Sequence, residues 1–167
     1  GVTTRLGENH YIMTTTTGGA ANVLGKLEDY LQTEWPELDV YLTSVTDHYA
    51  TASLCGPNSK KILKKIIPDL DLSDKNFPHM SFKESKIGNI HCRIMRISFT
   101  GEHSYEINVQ ASYGKDLWEK CMEAGQDRRR RTGTGQTVRS VCGDHGRSGV
   151  WCEAWTRAPV IARQGTN

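Results

Sequence analysis

The stretch RISFTGEHSYEINV, Arg96 to Val109, gathers two acids and two aromatics within a few residues. Gly101-Glu102 makes a turn between two strand-like runs, and Glu106 directly follows Tyr105. Alternation puts Tyr105, Ile107 and Val109 on one face of the second run and Glu106, Asn108 and Gln110 on the other. If the tyrosine side faces a core, Glu106 faces either water or a cavity. A carboxylate in a cavity accepts two N–H bonds side by side, which suits the edge of an aminopyrimidine. Phe99 could pack against a flat ring there. A solvated strand glutamate is the plainer reading of Glu106, and Glu102 reads as solvated or structural.

Other chemistry-bearing residues group less well. His10, His48, His79, His91 and His103 scatter over turns and strand faces, with no nucleophile, base and orienter set as a unit. Cys142-x-x-His145 with Cys152 lacks a fourth ligand at usual metal spacing. TGTGQT, residues 132–137, lacks the lysine of a phosphate loop. Lys60, Lys61, Lys64 and Lys65 mark a solvated helix face or, on a sharper reading, a basic rim that attracts an anionic ligand tail.

The elements that must position these groups fit a chain of 167 residues, about one domain's worth. Net charge is only +2, so nothing global demands nucleic acid, and no apolar run is long enough to span a membrane. Five cysteines without close pairs suggest reduced thiols and a cytoplasmic protein rather than a disulfide framework. The chain begins at Gly1 inside strand-like text, and it reads as a fragment. Composition breaks near Gly125. Residues 1–125 hold 10 Lys and 3 Arg against 16 acids, whereas residues 126–167 hold 8 Arg, no Lys and 3 acids. The latter segment has no Leu, Phe, Tyr or Met, so it reads as disordered or non-native. A nucleic-acid-binding arm around Arg128-Arg129-Arg130-Arg131 is the competing interpretation.

Val2 to Arg5 and Tyr11 to Thr17 predict a hairpin, and Gly18-Gly19 ends it. Ala20, Val23, Leu24, Leu27, Tyr30 and Leu31 predict a one-sided helix. Val40 to Val45 and Tyr49 to Leu54 predict a strand pair around Thr46-Asp47-His48. Asn58 or Ser59 should cap a helix whose inner stripe is Ile62, Leu63, Ile66 and Ile67. Gly88-Asn89 predicts a tight turn between Phe82–Ile87 and Ile90–Phe99. Gly114 to Glu123 predicts a last helix with Leu117, Trp118, Cys121 and Met122 inward. Strand pairs separated by helices give an α+β fold with mostly antiparallel sheets.

SFTGEHSYEINV resembles the (S/G)-(Y/F)-x-G-E-x-x-(Y/F/W)-E-(I/L) stretch of the folate-binding aminomethyltransferase (glycine-cleavage T-protein) family. LCGPNSKKIL resembles that family's L-x-G-P-x-S/A-x-x-x-L segment. MTTTTGGA and LQTEWP are more narrowly similar to the C-terminal half of heterotetrameric sarcosine oxidase alpha subunits. The resemblance covers Gly1 to Gly125. It implies a partial folate-binding domain of an enzyme that demethylates sarcosine oxidatively and captures the one-carbon unit as 5,10-methylenetetrahydrofolate. FAD, FMN and NAD would belong to the intact heterotetramer, with beta, gamma and delta subunits as partners, and not to this segment. A glycine-cleavage aminomethyltransferase is the alternative within the family. By the same resemblance Glu106 would bind the pterin ring and Phe99 would be a pocket aromatic that lacks the hydroxyl of the more usual tyrosine. Tyr105 and Glu102 match the motif, more as scaffolding than as contacts. Met13 and Thr14 match the pocket-side strand. The family's Asp-Asp pair would precede Gly1, and its folate-holding arginine would follow the last helix, so no catalytic residue is assigned in this chain.

Overall fold

A computed structural model describes residues 1–98, 101–129 and 159–164. The described residues fall into two compact units, residues 1–49 with 159–164 and residues 50–98 with 101–129. All the strand pairings in register are antiparallel and the fold is α+β, as the sequence predicts.

In the first unit, β1 (Val2–Gly7) and β2 (His10–Thr14) make the predicted hairpin, in register from Val2 opposite Thr14. A 3₁₀ turn at Thr17–Gly19 ends it, held by the Gly19 amide donating to the Thr16 carbonyl at 3.0 Å. α1 (Ala20–Thr33) half-buries Val23, Leu24, Leu27, Tyr30 and Leu31 and leaves Lys26, Glu28 and Asp29 exposed, so the predicted stripe holds. β3 (Val40–Ser44) does not pair with β4 (Tyr49–Cys55), contrary to expectation. Thr46–His48 forms a 3₁₀ turn closed by the His48 amide on the Val45 carbonyl, and the two strands join different sheets. The partner of β3 is instead β8 (Pro159–Gln164), drawn from the Arg-rich segment, which lies between β2 and β3 in the order β1-β2-β8-β3. Its β-branched Val160 and Ile161 suit a strand.

The second unit holds a sheet of order β4-β7-β6-β5, with β5 (Ser81–Ile87), β6 (Ile90–Arg96) and β7 (Ser104–Gln110). Gly88-Asn89 joins β5 to β6 as predicted, with Gly88 at φ 61°. One face carries a core of Ala52, Leu54, Cys92, Ile94, Tyr105, Ile107 and Val109. Against it pack Ile62, Leu63 and Ile67 of α2 (Ser59–Ile66) and its end, and Leu117 and Cys121 of α3 (Gly114–Arg129). The long connection from α2 to β5 adds Leu70, Leu72 and Phe77. α3 runs six residues past the predicted end at Glu123. Phe99, Cys142, His145, Cys152, the 132–137 glycine-spaced run and Arg130-Arg131 lie outside the described residues.

Candidate functional site

β7 lies between β4 and β6, so neither of its edges is free, and every residue from Ser104 to Val109 is buried. Its core face is apolar. Its other face presents Ser104, Glu106 and Asn108, at 5%, 5% and 7% exposure. The solvated-glutamate reading of Glu106 is therefore not what the fold delivers. Burying a carboxylate in mid-strand is costly without compensating polar partners. This face also carries further polar groups, in the row beside Glu106.

Pairing identifies them. Glu106 stands opposite Met95, itself buried, and Asn108 stands opposite Arg93, which stands opposite Glu84. The Thr51 hydroxyl of β4 donates to Asn108 Oδ1 at 2.6 Å. Arg93 Nη2 donates to Glu84 Oε1 at 3.0 Å, with the arginine side chain only 13% exposed. Glu84, Arg93, Asn108 and Thr51 thus run as one polar row across four strands, next to the row that carries Glu106. Asn108 Nδ2 is buried and has no hydrogen-bond partner among the described residues. Sequence reading missed Thr51 and Arg93 as neighbours of Asn108, because the pairing of β4 and β6 with β7 is long-range, Thr51 being 57 residues from Asn108 along the chain.

The approach to β7 is anchored to α2. The His103 carbonyl accepts the Gly56 amide at 2.9 Å and the Ser59 hydroxyl at 3.0 Å, and Cys55 Sγ meets Ser104 Oγ at 3.0 Å. The LCGPNS and GEHSYE stretches are therefore bound to each other. Gly56, at φ 100°, adopts a conformation that favours glycine. The predicted side-chain cap of α2 by Asn58 or Ser59 is not made, because the Ser59 hydroxyl is used on the neighbouring connection instead.

Tyr105 is fully buried in the core on the face opposite Glu106. Its hydroxyl lies 2.8 Å from His103 Nε2, and Phe77 packs beside its ring at 5.8 Å between centroids. Burial raises the Tyr105 pKa, and burial with the positive charges of Arg96 and Lys60 lowers that of His103. Both effects favour neutral, hydrogen-bonded side chains. Glu102 is exposed in the turn beside Gly101, whose φ is 84°. Met13 and Thr14 belong to β2 of the first unit, where Thr14 Oγ1 donates to the Val2 carbonyl at 3.4 Å. Among the described residues of the second unit that were predicted for the site, Glu106 alone lies on the buried polar face, while Tyr105 and Glu102 are turned elsewhere. On α2, Lys64 and Lys65 donate to the carbonyls of Leu70 and Ala124, so these two lysines also tie down local structure.

Comparison with known proteins agrees with the motifs. The chain is 49% identical over 128 residues to the sarcosine oxidase subunit alpha of Corynebacterium sp. (strain P-1), covering 76% of this chain and 13% of that protein. It is 46% identical over 129 residues to the sarcosine oxidase subunit alpha of Rhizobium meliloti (strain 1021), again covering 76% of this chain and 13% of the relative. An aminomethyltransferase of Thermoanaerobacter sp. (strain X514) is 36% identical over 90 residues, 53% of this chain and 24% of that protein. The chain therefore spans only 13% of the length of the alpha subunits it matches. The sequence profile described as GCVT N-terminal domain matches residues 1–141, and the chain belongs to this family.

Proposed function

We propose that this chain is the tetrahydrofolate-binding segment of a sarcosine oxidase alpha subunit, serving capture of the one-carbon unit released by oxidative demethylation of sarcosine. The observation that carries the reading is Glu106, a carboxylate at 5% exposure in a central strand on a polar face. Such a group suits a ligand edge with two adjacent N–H donors, as a reduced pterin presents. When bound, tetrahydrofolate would supply the two amines, N5 of its ring and N10 of its side arm, that take up the one-carbon unit. The role of this chain is binding: Glu106 accepts the N–H edge, and the buried face excludes competing water, which strengthens the contact. No described residue is assigned as a catalytic base. FAD, FMN and NAD, and the beta, gamma and delta subunits, belong to the intact assembly in this proposal, and the cysteine usage supports a cytoplasmic location.

The higher identity and longer coverage toward sarcosine oxidase alpha subunits favour this reading over a glycine-cleavage aminomethyltransferase. Calorimetric titration of the chain with tetrahydrofolate tests it, with circular dichroism as the folding control. Saturable binding that disappears in Glu106→Ala is expected. A folded protein that binds no tetrahydrofolate refutes the proposal.

A further inference from the structure

Glu106 offers only acceptors, so it reads only the donor part of a ligand edge. Asn108 is the next residue on the same face, roughly 7 Å further along the strand. Its side chain is 7% exposed, its Oδ1 accepts the Thr51 hydroxyl, and its Nδ2 has no partner among the described residues. A buried donor left unmatched is costly, and native folds rarely keep one without a use. With the Thr51 hydroxyl as donor, the oxygen end of the amide faces β4.

We infer that Asn108 is a specificity-determining residue of the same site, its Nδ2 donating to a carbonyl on the ligand beside the N–H groups that Glu106 accepts. This rests on the proposed pterin reading and sharpens it. A 2-amino-4-oxopyrimidine edge runs amino donor, ring N–H donor, carbonyl acceptor. Glu106 meets the two donors and Asn108 meets the carbonyl. A ring with an amino group at position 4 places a donor against Nδ2 and is rejected. Thr51 is a positioning residue that acts through Asn108.

The experiment compares calorimetric affinities of the full chain for tetrahydrofolate and for its 4-amino counterpart, in the unaltered protein, Asn108→Leu, Asn108→Asp and Thr51→Val. The unaltered chain is expected to prefer the 4-oxo ring. Asn108→Leu should shrink that preference by about 5- to 100-fold, the worth of one buried hydrogen bond with its unpaired partner. Asn108→Asp, which keeps the size and replaces the donor by an acceptor, should shrink it further or invert it, and serves if the leucine variant does not fold. Thr51→Val should weaken the preference less than Asn108→Leu. An unchanged ratio in the folded Asn108 variants, or a 4-amino preference in the unaltered chain, overturns the inference. If Glu106→Ala abolishes binding while the Asn108 variants behave as the unaltered chain, only the role of Asn108 fails. Absence of tetrahydrofolate binding in the unaltered chain refutes the proposed function and this inference together.

Discussion

Ser59→Ala should loosen the connection that leads into β7 by an amount the structure bounds. Ser59 is fully buried, and its hydroxyl donates to the His103 carbonyl at 3.0 Å. That carbonyl keeps a second donor, the Gly56 amide at 2.9 Å, so the substitution leaves no acceptor wholly unmatched. The cost is then that of one ordinary hydrogen bond, about 1 kcal/mol, without the larger penalty of an orphaned group. The void left by one oxygen is small and adds little. For a chain of this length such a loss lowers the melting temperature by roughly 2–4 °C. Urea unfolding followed by circular dichroism should show a lower midpoint at unchanged slope. Tetrahydrofolate affinity should hold, because Glu106 is fixed by its register opposite Met95 and not by this contact. A loss under about 0.3 kcal/mol would mean the hydroxyl is idle. A loss above about 3 kcal/mol would mean the Gly56 amide does not keep the carbonyl satisfied.

Gly114→Ala should destabilise by about 1–3 kcal/mol, since a Cβ there would sit 2.8 Å from the Ala50 Cβ, and Ala50→Gly in the same chain should recover part of the loss. Equal midpoints for Gly114→Ala and the unaltered chain would contradict that packing. The lowered His103 pKa means that the unfolded chain takes up this proton first as pH falls below the ordinary value of 6.5. Stability from the neutral imidazole is therefore complete above that pH and declines below it. Urea midpoints at pH 7.5 and 5.5 should fall more for the unaltered chain than for His103→Asn, and parallel falls would refute the role. Asp71, held down to about 2 by Asn76 and Ser73, titrates below its ordinary 3.8 and does not contribute to that scan.

Local pattern made most elements legible and left the long-range pairings hidden. The period-two runs around Gly88-Asn89 and the apolar stripes of Ile62–Leu63 and Leu117–Cys121 encode their own strands and helices. Nothing between residues 40 and 54 reveals that β3 and β4 enter different sheets, because that depends on β8 and β7, both far along the chain. Leu70, Leu72 and Phe77 reach the core from an irregular connection, where no period betrays burial. At the site, alternation alone separates Tyr105 from Glu106, and the structure keeps them on opposite faces. The Thr51–Asn108 contact and the polar row through Arg93 depend on strand order, which local spacing does not carry.

The most direct measurement is tetrahydrofolate titration of the unaltered chain beside Glu106→Gln, which keeps size and removes the paired acceptor. Charge-assisted hydrogen bonds are each worth about 1.5–3 kcal/mol, so the variant should bind at least about tenfold more weakly while its circular dichroism spectrum is unchanged. Equal affinity in the two proteins would contradict the role of Glu106 and, with it, the placement of the pterin on this face.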